Sequence, residues 1–203
     1  MESVARPLDL YLASKSPRRR QLLTAAQLRF AVCEPGEEYV GGASEHDSEL
    51  GDPVKLASLR ARRKALGAVS VAEQVPILAV DTVVDLHGCE LGKAVDREAA
   101  AAYLARLAGH RHQVHTAHCL YVPSVAGAVF EEVSSSVVAC EEPTFPQLDR
   151  YLDSLQWQGK AGGYGIQDPA QDFLRLAAGA FDTVVGLHVP EVMRLLQAVG
   201  ERS

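Results

Sequence analysis

The chain has 203 residues, 47% of them apolar, enough to bury one full hydrophobic core. Its 20 basic residues are outweighed by 26 acidic ones; the net charge of −6 repels long polyanions and argues against nucleic acid, though a small anion can still bind at a locally positive site. No run reaches the roughly 18 apolar residues of a membrane span, MESVARPLDLYLAS lacks the apolar core of a secretory signal, and Cys33, Cys89, Cys119 and Cys140 form no CxxC pair, so free thiols in a cytoplasmic protein are expected.

Leu8 to Ala13 reads as a short strand, followed by a helix from about Arg18 with Leu22, Leu23, Ala26 and Leu28 on its inner stripe. The polar, Gly-rich segment that carries Glu37 and Glu38 is a loop. A helical pattern runs from Pro53 to about Val69 and is strongly basic through Arg60, Arg62, Arg63 and Lys64. Val75 to Leu86 is rich in β-branched residues and reads as a buried strand. His87 and Gly88 turn the chain, and Cys89 to Lys93 returns as a second strand. Asp96 caps a helix that ends at Leu107, and Gln113 to Val122 and Ser134 to Val138 are further strands. A helix from about Pro146 to Ser154 precedes the Gly-rich run Lys160 to Gln167. Phe181 to Leu187 reads as a last strand, and the closing helix has Pro190 in its first turn and Gly200 just past its end. This order predicts an α/β fold with one mixed sheet flanked by helices, in a single domain over residues 1–203.

Four places carry chemistry. Ser14-Lys15-Ser16-Pro17-Arg18-Arg19-Arg20 joins a strand to a helix, with Ser16 as N-cap and Pro17 at the first helical position. Three cations in the first turn oppose the helix dipole, by a few tenths of a kcal/mol each, unless an anion binds there. Free N–H groups, hydroxyls and guanidinium forks together suit phosphate. Asp81 interrupts the apolar run Ile77 to Val84. A buried carboxylate costs several kcal/mol unless it is paired or bound to metal. It is therefore an ion-pair partner of a core arginine, a metal ligand or a general base. Asp85 lies near the turn and is expected to be solvated. Lys64 and Lys93 are each unremarkable alone. In the Gly-rich run, the glycines permit close backbone approach to a ligand. Tyr164 could stack on a base, and Gln167 could read a base edge.

His110, His112, His115 and His118 suggest a metal cluster, but in a strand His110 and His112 face one way and His115 the other. No Cys or carboxylate spacing completes a zinc site.

Taken in order, these segments resemble the Maf family. LYLASKSPRRRQLL, with Ser14, Ser16, Pro17 and Arg18, is similar to the family's opening motif. ARRKA around Lys64, ILAVDTVV around Asp81, LGK ending at Lys93, LAGHRHQVHT, KAGGYGIQ and TVVGLHV follow in family order from residue 8 to about 200. The resemblance implies an elongated two-lobed fold with a central cleft, shared with inosine triphosphate pyrophosphatases. It also implies cleavage of nucleoside triphosphates between the α and β phosphates, with a divalent metal, magnesium or manganese.

The family's catalytic aspartate falls on Asp81. Its phosphate-binding positions fall on Ser14, Arg18, Lys64 and Lys93, and its acidic loop position falls on Glu37 or Glu38. With Asp81, that acidic position would hold the metal. Arg18, Thr82 and Gln167 match the residues carried by the family's dTTP/UTP pyrophosphatases rather than the 7-methyl-GTP branch. A homodimer is a further implication. The chain departs from the family pattern at Lys15, at Asp168-Pro169, where glycine is usual, and at His188, where proline is common. Two alternatives are a nucleotide-binding regulator of cell division, to which the family has been linked, and a pyrophosphatase for a methylated nucleotide.

Overall fold

The computed structural model describes residues 7–36, 51–68, 75–125 and 127–201. The apolar run around Asp81 forms the central strand β3 (Ile77–Leu86), buried along nearly its whole length. Around it lie β1 (Leu10–Ala13), β2 (Phe30–Cys33), β4 (Cys89–Leu91), β5 (Arg111–Val122), β6 (Ala128–Cys140) and β7 (Leu174–Ala178) in one seven-stranded sheet. The path is β2-β1-β3-β5-β6-β7, with β4 attached to β3. β1 is parallel to β2 and β3, and the other pairs are antiparallel, so the sheet is mixed as expected.

One edge of β3 is shared by two strands. β1 pairs with Ile77 to Ala79, and β4 pairs with Val84 to Leu86. Between them, from Val80 to Val83, the edge has no strand partner among the described residues, while β5 covers the opposite edge from Ile77 to Asp85. The sheet therefore forks at Asp81 and Thr82. Apolar clusters lie on either side of the fork. One gathers Leu10, Leu12, Leu23, Leu78 and Leu120. Another gathers Val84, Leu91, Leu104, Tyr151 and Trp157. A third gathers Tyr11, Ala13, Ala57, Ile77 and Ala79.

The helices follow local signals. α1 (Pro17–Ala25) has Ser16 as N-cap, its side chain accepting from the Arg19 N–H, and proline in its first turn. α2 (Pro53–Leu66) is capped by Asp52 and buries Leu56, Ala57, Ala61 and Ala65. Its small alanines let the helix axis approach the sheet closely, which brings buried Lys64 to the face of β3. α3 (Arg97–Leu107) is capped by Asp96, and α4 (Phe145–Asp153) begins in a Thr144–Gln147 capping box. A short α5 (Phe181–Val185) and α6 (Val189–Gly200) complete the chain.

Several elements differ from the sequence reading. Phe181 to Leu187 is not a strand but the short helix α5, stopped by Gly186 in a left-handed conformation at φ 119°. The last strand is β7, paired with β6, and β2 beside β1 was not anticipated. Ser134 to Val138 is part of a strand of 13 residues. Gly200 is the last residue of α6 rather than its C-cap, which is Glu201. All four cysteines are free, and burial pushes the Cys119 thiol up to about 12 and the Cys140 thiol up to about 11. No helix among the described residues is long and apolar enough to cross a membrane.

The histidines of β5 are mostly core residues. His112, His115 and His118 are buried, and no metal-binding group forms from them among the described residues. His118 Nε2 accepts from the His188 N–H at 2.9 Å, and His112 Nε2 meets the Tyr164 hydroxyl. Burial depresses both rings to about 4, so the folded chain holds them neutral. Their contribution to stability is complete above the ordinary value near 6.5 and is lost as pH falls toward about 4. The expected loss approaches about 3 kcal/mol per ring when the lower limit is reached. Urea unfolding across this range should show a falling midpoint, with a shallower slope for His118→Gln. A variant with the same slope as the wild type contradicts the assignment.

Candidate active site

A cavity of about 420 Å³ opens at the fork. One wall is the loop from β1 into α1, with Ser14, Arg18 and Arg19. Lys64, Asp81 and Lys93 line the fork itself. The far end is made by the Gly-rich run, including Tyr164 and Gln167, and by Val184 to Gly186. The cleft thus collects side chains from six motifs that are widely separated in sequence.

At the fork, Lys64 Nζ donates to Asp81 Oδ1 at 2.6 Å, and both side chains are about 10% exposed or less. Asp81 is thus paired with a lysine, not with a core arginine. Its second oxygen, Oδ2, is buried and has no hydrogen-bond partner among the described residues. An unmet carboxylate oxygen in a cleft is costly. It suits a water, a proton or a hard cation, all of which oxygen ligands serve. Glu37 and Glu38, the expected second metal ligand, lie outside the described residues.

Ser14 follows the last residue of β1 and is buried. Its hydroxyl accepts from the Ser16 N–H at 3.2 Å and from Arg19 Nη1 at 3.1 Å. Both acceptor sites are then used, and its proton is left to donate into the cleft. Arg19 also donates from Nε to the Gly186 carbonyl at 2.8 Å and from Nη2 to Thr82 Oγ1 at 3.2 Å. This arginine was not among the expected site residues. It braces α1 against the fork and against the loop after α5, a role spread over residues far apart in the chain. Arg20 is exposed, so the three arginines divide into different tasks.

Arg18 is half-buried and faces the negative field of Asp168. Desolvation lowers its pKa, while Asp168 and then Tyr151 oppose the shift. Gln167 is exposed at the cleft wall, and its Nε2 lies 3.4 Å from Asp168 Oδ1. Thr82 is half-buried beside Arg19, so Arg18, Thr82 and Gln167 do line one cavity. Lys93 is exposed at its rim, where it forms an isolated bridge with Ala161.

Other expectations are corrected. Tyr164 is not an open stacking platform: it is 5% exposed, its hydroxyl is engaged by His112, and the two rings meet edge to face. Asp85 is not solvated but buried, accepting from the Gly88 N–H at 2.6 Å with His115 3.4 Å away. The glycines serve packing as well as access. A side chain on Gly162, at φ 67°, would meet Val84 at 3.0 Å, and one on Gly165 would meet Asp168 and Lys160 within 2.7 Å.

Asp168 itself is buried and takes an ion pair from Lys160, whose side chain is 11% exposed. It also accepts from the Tyr151 hydroxyl at 2.8 Å, and that hydroxyl accepts in turn from the Gly165 N–H at 3.2 Å. Burial, and then Asp168, hold the Tyr151 phenol well above its ordinary range. The departure from glycine at this position thus anchors the wall that presents Gln167.

The sequence as a whole is similar to that of known proteins. The family model for Maf-like protein matches residues 9–199. A dTTP/UTP pyrophosphatase from Bordetella avium is 38% identical over 199 residues, covering 94% of this chain and 95% of that protein. A dTTP/UTP pyrophosphatase from Thermus thermophilus is 42% identical over 193 residues, covering 95% and 96%. Among solved structures, a nucleoside-triphosphatase/dITP/XTP pyrophosphatase from Mycobacterium abscessus aligns over 96% of this chain and 97% of its own, at 15% identity and a TM-score of 0.40.

The Asp168–Lys160 pair has a measurable consequence. Asp168→Asn leaves the half-buried Lys160 ammonium without its counter-charge and should cost about 1–3 kcal/mol in urea unfolding. Asp168→Asn combined with Lys160→Met should recover much of that loss. A single variant as stable as the wild type contradicts the buried pair.

Proposed function

The chain belongs to the Maf-like protein family, and on that premise we propose that it hydrolyses dTTP and UTP to the nucleoside monophosphate and pyrophosphate, at the fork around Asp81. The dTTP/UTP pyrophosphatases it resembles match it over nearly their full length, which supports the substrate class. The observation that carries the site is Asp81. One of its oxygens is held by Lys64, and the other is unmet among the described residues, inside a cleft rimmed by Ser14, Arg18, Arg19 and Lys93.

A triphosphate brings several negative charges. Lys64, Lys93 and Arg18 supply the opposing charge, and the Ser14 proton donates to a phosphoryl oxygen. Such preorganised donors do most of the work in phosphoryl transfer, because they meet charge as it develops. Asp81 Oδ2 accepts a proton from a water and directs its oxygen at the α phosphorus. Lys64 keeps the carboxylate in place by fixing Oδ1. The bond from the α phosphorus to the bridging oxygen breaks, and pyrophosphate leaves with that oxygen.

The donor chemistry at Asp81 fits magnesium or manganese, with Asp81 and a glutamate of the 37–38 pair as oxygen ligands. When bound, the ion would neutralise phosphate charge. Arg18, Thr82 and Gln167 form the part of the cleft that would read the base. A homodimer and a cytoplasmic location rest on the family resemblance and the thiols alone.

Pyrophosphate release from a panel of dTTP, UTP, CTP and 7-methyl-GTP, with magnesium or manganese, tests this reading. Release should be fastest from dTTP or UTP. Asp81→Asn should lose about 10²–10⁴-fold in turnover with the fold retained. Folded Asp81→Asn with normal turnover rejects the catalytic assignment. Tight nucleotide binding without release by the wild type favours the regulator. Arg18→Ala and Gln167→Glu should reorder the nucleotides more than they change stability, and an unchanged order rejects their role in specificity.

A further inference from the structure

Thr82 and Thr116 stand directly opposite each other on β3 and β5, with their hydroxyl oxygens 3.1 Å apart. The direction of that hydrogen bond is fixed by its neighbours. Thr116 is fully buried, and its hydroxyl donates to the Thr183 carbonyl at 2.8 Å. That carbonyl lies in α5, where the Gly186 and Leu187 N–H groups both donate to Asp182 instead. A hydroxyl has one proton, so Thr116 can only accept from Thr82. On the other side, Arg19 Nη2 reaches Thr82 Oγ1 at 3.2 Å, and a guanidinium only donates. Protons therefore point one way, from Arg19 to Thr82, from Thr82 to Thr116, and from Thr116 to the Thr183 carbonyl.

We propose that Thr116 is a specificity-positioning residue, which consumes the proton of Thr82 and so leaves Thr82 an acceptor-only surface in the nucleotide cleft. Thr82 lines that cleft, and one lone pair remains on its oxygen after Arg19 has used the other. An acceptor there favours a pyrimidine whose ring N3 carries a proton, as in uracil and thymine. It disfavours cytosine, whose ring N3 is itself an acceptor. Thr116 does not line the cavity, and it acts only through the hydroxyl of Thr82. The inference rests on the functional reading above.

The test is the ratio of kcat/KM for UTP to that for CTP in a small set of variants. Thr116→Val removes the acceptor, frees the Thr82 proton to point into the cleft, and should lower the ratio about tenfold, the worth of one hydrogen bond. Thr116→Ser keeps the hydroxyl and should keep the ratio. Thr116→Cys retains a weak donor for the Thr183 carbonyl but accepts poorly from Thr82, so it serves should the valine variant not fold. In a Thr82→Val background the same changes at position 116 should leave the ratio unmoved, because their route is gone. An unchanged ratio in folded Thr116→Val or Thr116→Cys overturns the proposal, as does an equal fall in the Thr82→Val background. A wild type that releases pyrophosphate from neither dTTP nor UTP overturns the functional reading, and this inference with it.

Discussion

The ion pair between Lys64 and Asp81 is the contact on which the rest of the structure depends. A carboxylate in the middle of an apolar strand is tolerated only with a partner of opposite charge. Lys64 reaches it because α2 packs on the sheet through alanines, close enough for a lysine head group to touch the strand. The pair satisfies one oxygen of Asp81 and leaves the other buried, with no hydrogen-bond partner among the described residues. Stability and chemistry meet in one side chain: the same burial that requires Lys64 keeps bulk water from competing for the second oxygen.

The cleft follows from the strand pairing of β3. Because β1 and β4 each occupy only part of one edge, the residues between them meet no other strand among the described residues and border the cavity. Alternation along β3 then sends Asp81 to the face covered by α2 and Thr82 to the opposite face, where Arg19 and Thr116 meet it. Under the proposed function, these neighbouring positions would serve different ends of a nucleotide, Asp81 the phosphates and Thr82 the base. Arg19 ties these ends together, since its guanidinium touches Ser14, Thr82 and the Gly186 carbonyl at once.

Local chemistry was legible in the sequence, and long-range chemistry was not. Ser16 and Pro17 announce the start of α1, and Asp96 that of α3, because a cap acts within a few residues. Asp81 stood out because a charge inside an apolar run is a cost visible from composition alone. β2 was missed because its four residues are mostly half-exposed and show no clear alternation. Phe181 to Leu187 misled because Val184 and Val185 favour strands, yet the left-handed turn at Gly186 and the bond from Thr116 to Thr183 stabilise a helical turn. Asp168 was visible as a departure from the family pattern, but its partner Tyr151 lies in α4, and its pairing with Lys160 depends on how the Gly-rich run folds back on itself. Arg19 lay among three arginines whose separate tasks only the tertiary structure distinguishes.

In the proposed reaction, the fork directs water at the α phosphorus. The most direct measurement is hydrolysis of dTTP or UTP in water enriched in oxygen-18, with the products resolved by phosphorus NMR. Attack at the α phosphorus should give monophosphate and pyrophosphate as products, with the heavy oxygen in the monophosphate. Heavy oxygen in the pyrophosphate, or release of the nucleoside diphosphate and inorganic phosphate, would contradict it.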